Sequence, residues 1–329
     1  MGKRRSQKQK RSKGPIRKLW GYCKLLVILL VLGCVAYGFW YSKQDADAQA
    51  RSQEQALTAL DWLIERDETK KEADEVLRWI AQQIPASQGI VVSVGDIEGA
   101  DIYTFAGVPI GDRPLKVLKN KGYIVGYDEA LKNPAWVAYR LEYDASASTV
   151  ERPSGFDADH RTRARVEHHD YTNTGFDRGH MAPNYAIGRA HGAKAQVETF
   201  LMSNIVPQLP DLNRGPWKEL EQRIANDYLD DYRELWVITG PIYSARPESL
   251  RSNIAIPSAF FKIVVDEVEG GGIRVIAVIM PQSVSGSSDL RDYLVSVDDV
   301  EKLTGLDFLS LLDDVAENTL EAGSAGRVW

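Results

Sequence analysis

The sequence predicts an α+β domain built on a central, mainly antiparallel sheet and preceded by a transmembrane helix and a helical stalk. Three observations lead there. From Gly89 onward, short runs of β-forming residues are punctuated by Gly and Pro. Apolar residues at three- and four-residue steps return only in isolated stretches, so strands alternate irregularly with few helices, unlike the regular alternation of a doubly wound sheet. Residues 25–41 form an uncharged run ending in Tyr37, Phe39, Trp40 and Tyr41, an apolar core with an aromatic belt at one end.

In chain order, residues 1–24 carry ten Lys/Arg and no acid, and residues 25–41 are the expected membrane anchor. By the positive-inside rule the N-terminus is cytoplasmic and the body lies on the exported side, periplasmic or extracellular. A cleaved signal peptide is the competing reading, but no clear small-x-small site follows the run. Residues 42–98 read as stalk or linker, because Leu57, Leu60, Ile64, Val76, Leu77, Ile80 and Ile84 recur with helical period. A domain over 99–315 and a C-terminal tail over 316–329 complete the chain. Within the domain, strands are expected near 122–127, 136–143, 235–239, 260–265 and 273–280, and helices near 217–228 and 300–312.

Charge and cysteine usage narrow the chemistry. The whole chain carries 40 basic and 46 acidic side chains; without the basic tail, 30 stand against 46, a net charge of −16. Such a body does not hold polyanions passively, so any phosphate site must be a local basic focus. Arg152, Arg161, Arg163, Arg165, Arg178, Arg189 and Lys194 supply a faint one. Cys23 and Cys34 both lie in or beside the apolar run, which leaves the body without a thiol for a disulfide or a cysteine metal site.

All five histidines, His160, His168, His169, His180 and His191, fall within 32 residues. Two readings compete: a zinc site, or one catalytic imidazole with incidental neighbours. Adjacent His168 and His169 would point to opposite faces of a strand, and no H-E-x-x-H spacing is present. In Asp177-Arg178-Gly179-His180, by contrast, Arg178 and His180 share one face of an extended strand, where one can hold a phosphate while the other moves a proton. Residues 201–208 read as a second strand, and Asn213 sits in a loop feeding a helix that opens with Pro216. On that helix Trp217, Leu220, Ile224 and Tyr228 form an apolar stripe with Glu221 at its edge, a carboxylate that needs a cation or a hydrogen bond if buried.

Asp177-Arg178-Gly179-His180, Ser203-Asn204-x-x-Pro207-Gln208, Asn213 and Trp217-x-x-x-Glu221 together resemble the DNA/RNA non-specific endonuclease family. The resemblance runs from about Leu115, through Asn133-Pro134-x-Trp136-Val137-x-Tyr139, to Gly305-Leu306-Asp307-Phe308. It implies a ββα-metal nuclease fold and a sugar-non-specific endonuclease acting on DNA and RNA with 5′-phosphate products. It further implies His180 as general base and Asn213 as direct ligand of one Mg²⁺, with Mn²⁺ able to substitute. Arg178 and Arg152 would bind the phosphate, Asn204 would orient the base or the ion's waters, and Glu221 would hold a water of the ion's shell. Asp177 fits an orienting or a structural role. A homodimer is an expectation of the resemblance alone. The alternatives are a catalytically silent nucleic-acid-binding or envelope scaffold of the same fold, and a zinc-dependent hydrolase on the histidine cluster.

Overall fold

The computed structural model describes residues 92–93, 102–143, 151–268, 272–284 and 289–325. The expected tail at 1–24, the anchor at 25–41 and nearly all of the stalk lie outside the described residues. Among the described residues no helix is long and apolar enough to cross a membrane.

The strands in chain order are β1 Val92–Ser93, β2 Ile110–Gly111, β3 Lys116–Lys119, β4 Tyr123–Asp128, β5 Asn133–Glu142, β6 Asp177–His180, β7 Ile205–Gln208, β8 Glu234–Ile242, β9 Ala259–Val268, β10 Gly272–Pro281, β11 Leu294–Val295 and β12 Leu306–Asp307. The central sheet runs β1-β10-β9-β8-β5-β4-β3, with β11 also on β10, and each of these pairings is antiparallel. The expected mainly antiparallel sheet is therefore present. Val92 and Ser93, assigned above to the stalk, pair instead with Ile273 and Gly272, so the domain begins before residue 99.

Each long strand is apolar on both faces, because the sheet is covered on both sides. On β9, Phe260 and Val264 face one core while Phe261, Ile263 and Val265 face another. The first core takes in Met181, Val206, Leu212, Trp217 and Leu220, the elements that carry the site. The second takes in Val297, Val300, Phe308, Ala316 and Leu320. At one margin of the sheet, β3 is gripped by Arg161, whose Nη1 donates to Lys119 O while Lys116 Nζ donates back to Arg161 O.

Among the described residues the α-helices are α1 Asn184–His191, α2 Ala193–Glu198, α3 Pro210–Arg214, α4 Pro216–Arg223, α5 Leu229–Tyr232, α6 Val297–Thr304 and α7 Asp314–Glu321. Two expectations are corrected. The helix expected over 300–312 starts earlier, under a Ser296/Asp299 capping box, and stops at Gly305, whose φ of +68 places it in the left-handed region that ends helices. Residues 316–325 are no tail: α7 begins on the Asp313 side-chain cap and buries Ala316 and Leu320.

Candidate functional site

Strands β6 and β7 form their own antiparallel ribbon, pairing Asp177 with Gln208 and His180 with Ile205. Gly179 allows this close pairing: a Cβ there would lie 2.3 Å from Gln208 Oε1. Gln282, at the end of β10, ties the ribbon to the main sheet, donating to Pro207 O and accepting from the Leu209 backbone N–H. Pro210 then starts α3, so Asn213 stands on a short helix rather than in the expected loop. Gly215 interrupts the helical run, Pro216 opens α4 as expected, and a π turn at Ile224–Tyr228 joins α4 to α5. Trp217, Leu220, Ile224 and Tyr228 are all buried, as the stripe predicts.

This ribbon and helix wall a cleft of about 740 Å³, lined among others by Arg152, Arg178, His180, Asn213 and Glu221. Asp177 also lines it and fixes Asn213: Asn213 Nδ2 donates to Asp177 Oδ2 at 2.9 Å, while Arg214 grips the same carboxylate through Nε at 2.8 Å and Nη2 at 2.7 Å. With its NH₂ turned toward Asp177, the Asn213 amide presents its Oδ1 as the free end. Burial pushes the Asp177 carboxyl up, but the bonds from Arg214 and Asn213 outweigh it and hold the group below its ordinary value.

His180 packs between aromatic rings, 5.4 Å from Phe156 and 4.9 Å from Phe200, centroid to centroid. The residue keeps partial exposure, yet its Nε2 is out of water and has no hydrogen-bond partner. Burial, then the positive charge of Arg152, lowers its pKa to about 3, so the imidazole is neutral near pH 7 and able to accept a proton. The Arg152 guanidinium stacks over Phe200 at 5.5 Å. Arg178 is braced through Nε and Nη2 on His168 O, with its guanidinium 5.8 Å from the rings of Phe156 and Tyr171.

Glu221 turns its Oε1 inward, without a hydrogen-bond partner, 3.9 Å from the fully buried Nζ of Lys262. That ammonium lies 4.4 Å over the Trp217 ring. Burial pushes Glu221 up and Lys262 down, and each partner opposes the other's neutralisation. Among the described residues neither Arg223 nor Lys218 pairs with Glu221; Arg223 bonds Glu219 instead. Sequence reasoning missed Lys262, although a lysine between Phe260 and Val264 on the inward face of a strand was a readable signal.

Asn204 is not brought into the cleft. It is fully buried, its Oδ1 accepting from the Ala182 N–H and its Nδ2 donating to Ala182 O and Thr199 O. An amide saturated by backbone has nothing left for an ion's water, so its assignment to base or waters is corrected: it anchors the chain two residues beyond His180. The basic focus also thins. Arg161 pairs with Asp159, Arg189 bonds Asn226 and Ala225 O, and Arg165 bonds His160, whereas Arg214 and Lys218, which sequence reasoning passed over, do line the cleft. The histidines do not converge: His191 bonds Arg140 O and His169 pairs with Glu167. Among the described residues, the groups of three His, Cys, Asp or Glu side chains whose ligand atoms lie within 4.8 Å of one another contain carboxylates alone, and no histidine.

The model of the DNA/RNA non-specific endonuclease family matches residues 107–315. A nuclease of Nostoc sp. is 33% identical over 239 residues, covering 67% of this chain and 85% of that protein. Mitochondrial endonuclease G of Homo sapiens is 30% identical over 211 residues, covering 59% of this chain and 70% of that one. Among solved structures, the EndoG/EndoGI complex, described as an inhibition complex, matches at a TM-score of 0.56 and 27% identity over 64% of this chain and 90% of that one.

Proposed function

The chain belongs to the DNA/RNA non-specific endonuclease family and is a nuclease, and on that premise we propose that His180, Arg178, Arg152, Asn213 and Glu221 carry its phosphodiester hydrolysis. The observation that supports this most is their meeting in one cleft although they come from a loop, a ribbon strand and two helices. His180 takes the proton of the attacking water. It is neutral before substrate binds, and an incoming anionic phosphate favours the imidazolium, raising the ring's proton affinity where transfer occurs. Arg178 is held rigidly by His168 O and the aromatic rings, so little reorganisation accompanies its contact with a phosphate. Arg152, exposed above Phe200, meets the same charge from the loop side.

The donor set fits a hard divalent ion, which we assign as Mg²⁺, with Mn²⁺ as substitute. Asn213 Oδ1 is the free end of an amide oriented by Asp177, and Glu221 lines the same cleft, its Oε1 held inward beside Lys262. Asn213 would hold the ion and Glu221 would steady its hydration; when bound, the ion supplies charge neutralisation at the phosphate and at the leaving 3′ oxygen. The uncharged run at 25–41 behind a basic tail supports a single-pass anchor with the nuclease domain on the exported side, away from the cell's own genome.

The test is digestion of supercoiled plasmid and of total RNA by the full-length protein, with Mg²⁺ or EDTA, beside His180→Ala. Both substrates should disappear only with metal, and the variant should be slower by roughly a hundredfold to ten-thousandfold. A His180→Ala protein as fast as wild type would remove the imidazole from the mechanism.

A further inference from the structure

On the face of the sheet opposite the cleft, α6, β12 and α7 bring five carboxylates together. Oxygens of Asp298, Glu301 and Glu321 lie within 4.8 Å of one another, as do those of Asp307, Glu317 and Glu321. Glu321 is common to both groups. It is 6% exposed, and its Oε1 is out of water with no hydrogen-bond partner. Among the described residues none of the five is ion-paired, and the one hydrogen bond that reaches them beyond α6 and α7 is Phe308 N–H to Glu301 Oε1. A buried carboxylate oxygen aimed into a ring of other carboxylates is costly unless a cation or a proton joins it.

We propose that this cluster is a second divalent-cation site, of the calcium class, that clamps α7 to α6 and β12. Two oxygens on opposite sides of an ion at about 2.4 Å each are separated by at most about 4.8 Å, so the spacing suits calcium coordination. Calcium accepts several carboxylates in flexible geometry, whereas Mg²⁺ retains its waters and takes one or two protein carboxylates. The absence of His and Cys from the set disfavours zinc. The competitor is a proton: burial first, then the neighbouring carboxylates, pushes Glu321 up to about 8. A bound cation reverses that balance by outweighing the mutual repulsion. Val300, Ala316 and Leu320 lie under the cluster in the far-side core, so an ion here would act on stability and not on the cleft.

The experiment is calorimetric melting of the full-length protein in EGTA, in about 1 mM Ca²⁺ and in the same concentration of Mg²⁺. Wild type and Asn213→Ala should both melt about 5 °C higher with Ca²⁺, and far less so with Mg²⁺. Glu321→Gln should lose the rise. Asp298→Asn, at an exposed position that leaves the core intact, should need about tenfold more Ca²⁺ for the same rise, and it decides the matter if Glu321→Gln fails to fold. No rise in wild type, an unchanged response in Asp298→Asn, loss of the rise in Asn213→Ala or an equal response to Mg²⁺ would each overturn the assignment. Glu321→Gln that is more stable than wild type in EGTA, in a protein indifferent to Ca²⁺, would identify the proton as the occupant.

Discussion

The Asp177 side chain bonds Asn213 and Arg214 and neither the base nor the phosphate-binding arginines, yet it decides which end of Asn213 faces the cleft. Removing it frees the amide to flip and releases Arg214, so Asp177→Ala should raise the Mg²⁺ concentration for half-maximal activity by about tenfold or more, with a smaller change in rate at saturating metal. A metal titration of initial rates checks it. His180 carries a second consequence. Its folded pKa of about 3 lies below the ordinary imidazole value, so the unfolded chain binds the extra proton first, and stability falls as pH drops from about 6.5 toward 3. His180→Phe keeps a ring between Phe156 and Phe200 but cannot charge. Between pH 7 and pH 4.5 wild type should lose about 2 kcal/mol more than this variant in urea unfolding; equal losses would mean that the ring is solvated in the folded state.

At the scale of elements, the ribbon β6-β7 is where sequence and structure correspond most closely. Arg178 and His180 two apart, Pro207-Gln208, Pro216 at a helix start and the Trp217 stripe were all readable, because each follows from a local rule of period or capping. Long-range pairings were not readable: the inward position of Lys262 was, but not that it meets Glu221 from a strand far along the chain, and Asn204 is claimed by Ala182 and Thr199 through a fold that no local pattern announces. The boundaries of α3 and α6 shifted for local reasons, namely Pro210 and Gly305, that periodicity alone overlooks. Gly179 ties the ribbon's geometry to its chemistry. Gly179→Ala forces Gln208 aside, and the expected cost is about 1–3 kcal/mol with a loss of activity exceeding that of a comparable core substitution. Melting and plasmid cleavage measured on one preparation would show whether the two effects separate.

For the molecule as a whole, one sheet divides two cores, the near one beneath the cleft and the far one under α6 and α7. Because Leu320 and Ala316 belong to the far core, deleting residues 314–329 should lower the melting temperature by at least about 5 °C while cleavage at about 10 °C stays within a few fold of wild type. A truncated protein that melts like the full chain would return those residues to the role of a tail.

The grip of Arg161 on β3 has a consequence for how copies of this protein can meet. An open sheet margin is a template for another strand, and a bare margin invites end-to-end stacking into aggregates. Here one margin has a backbone carbonyl of Lys119 already taken by the Arg161 side chain, with Lys116 and Lys119 exposed along it. The opposite margin, β10, is occupied at Gly272 and Ile273 by β1 and at Ala277 and Val278 by β11. Among the described residues neither margin offers a long uninterrupted row of donors and acceptors, which leaves a second copy of the sheet little to pair with at either side.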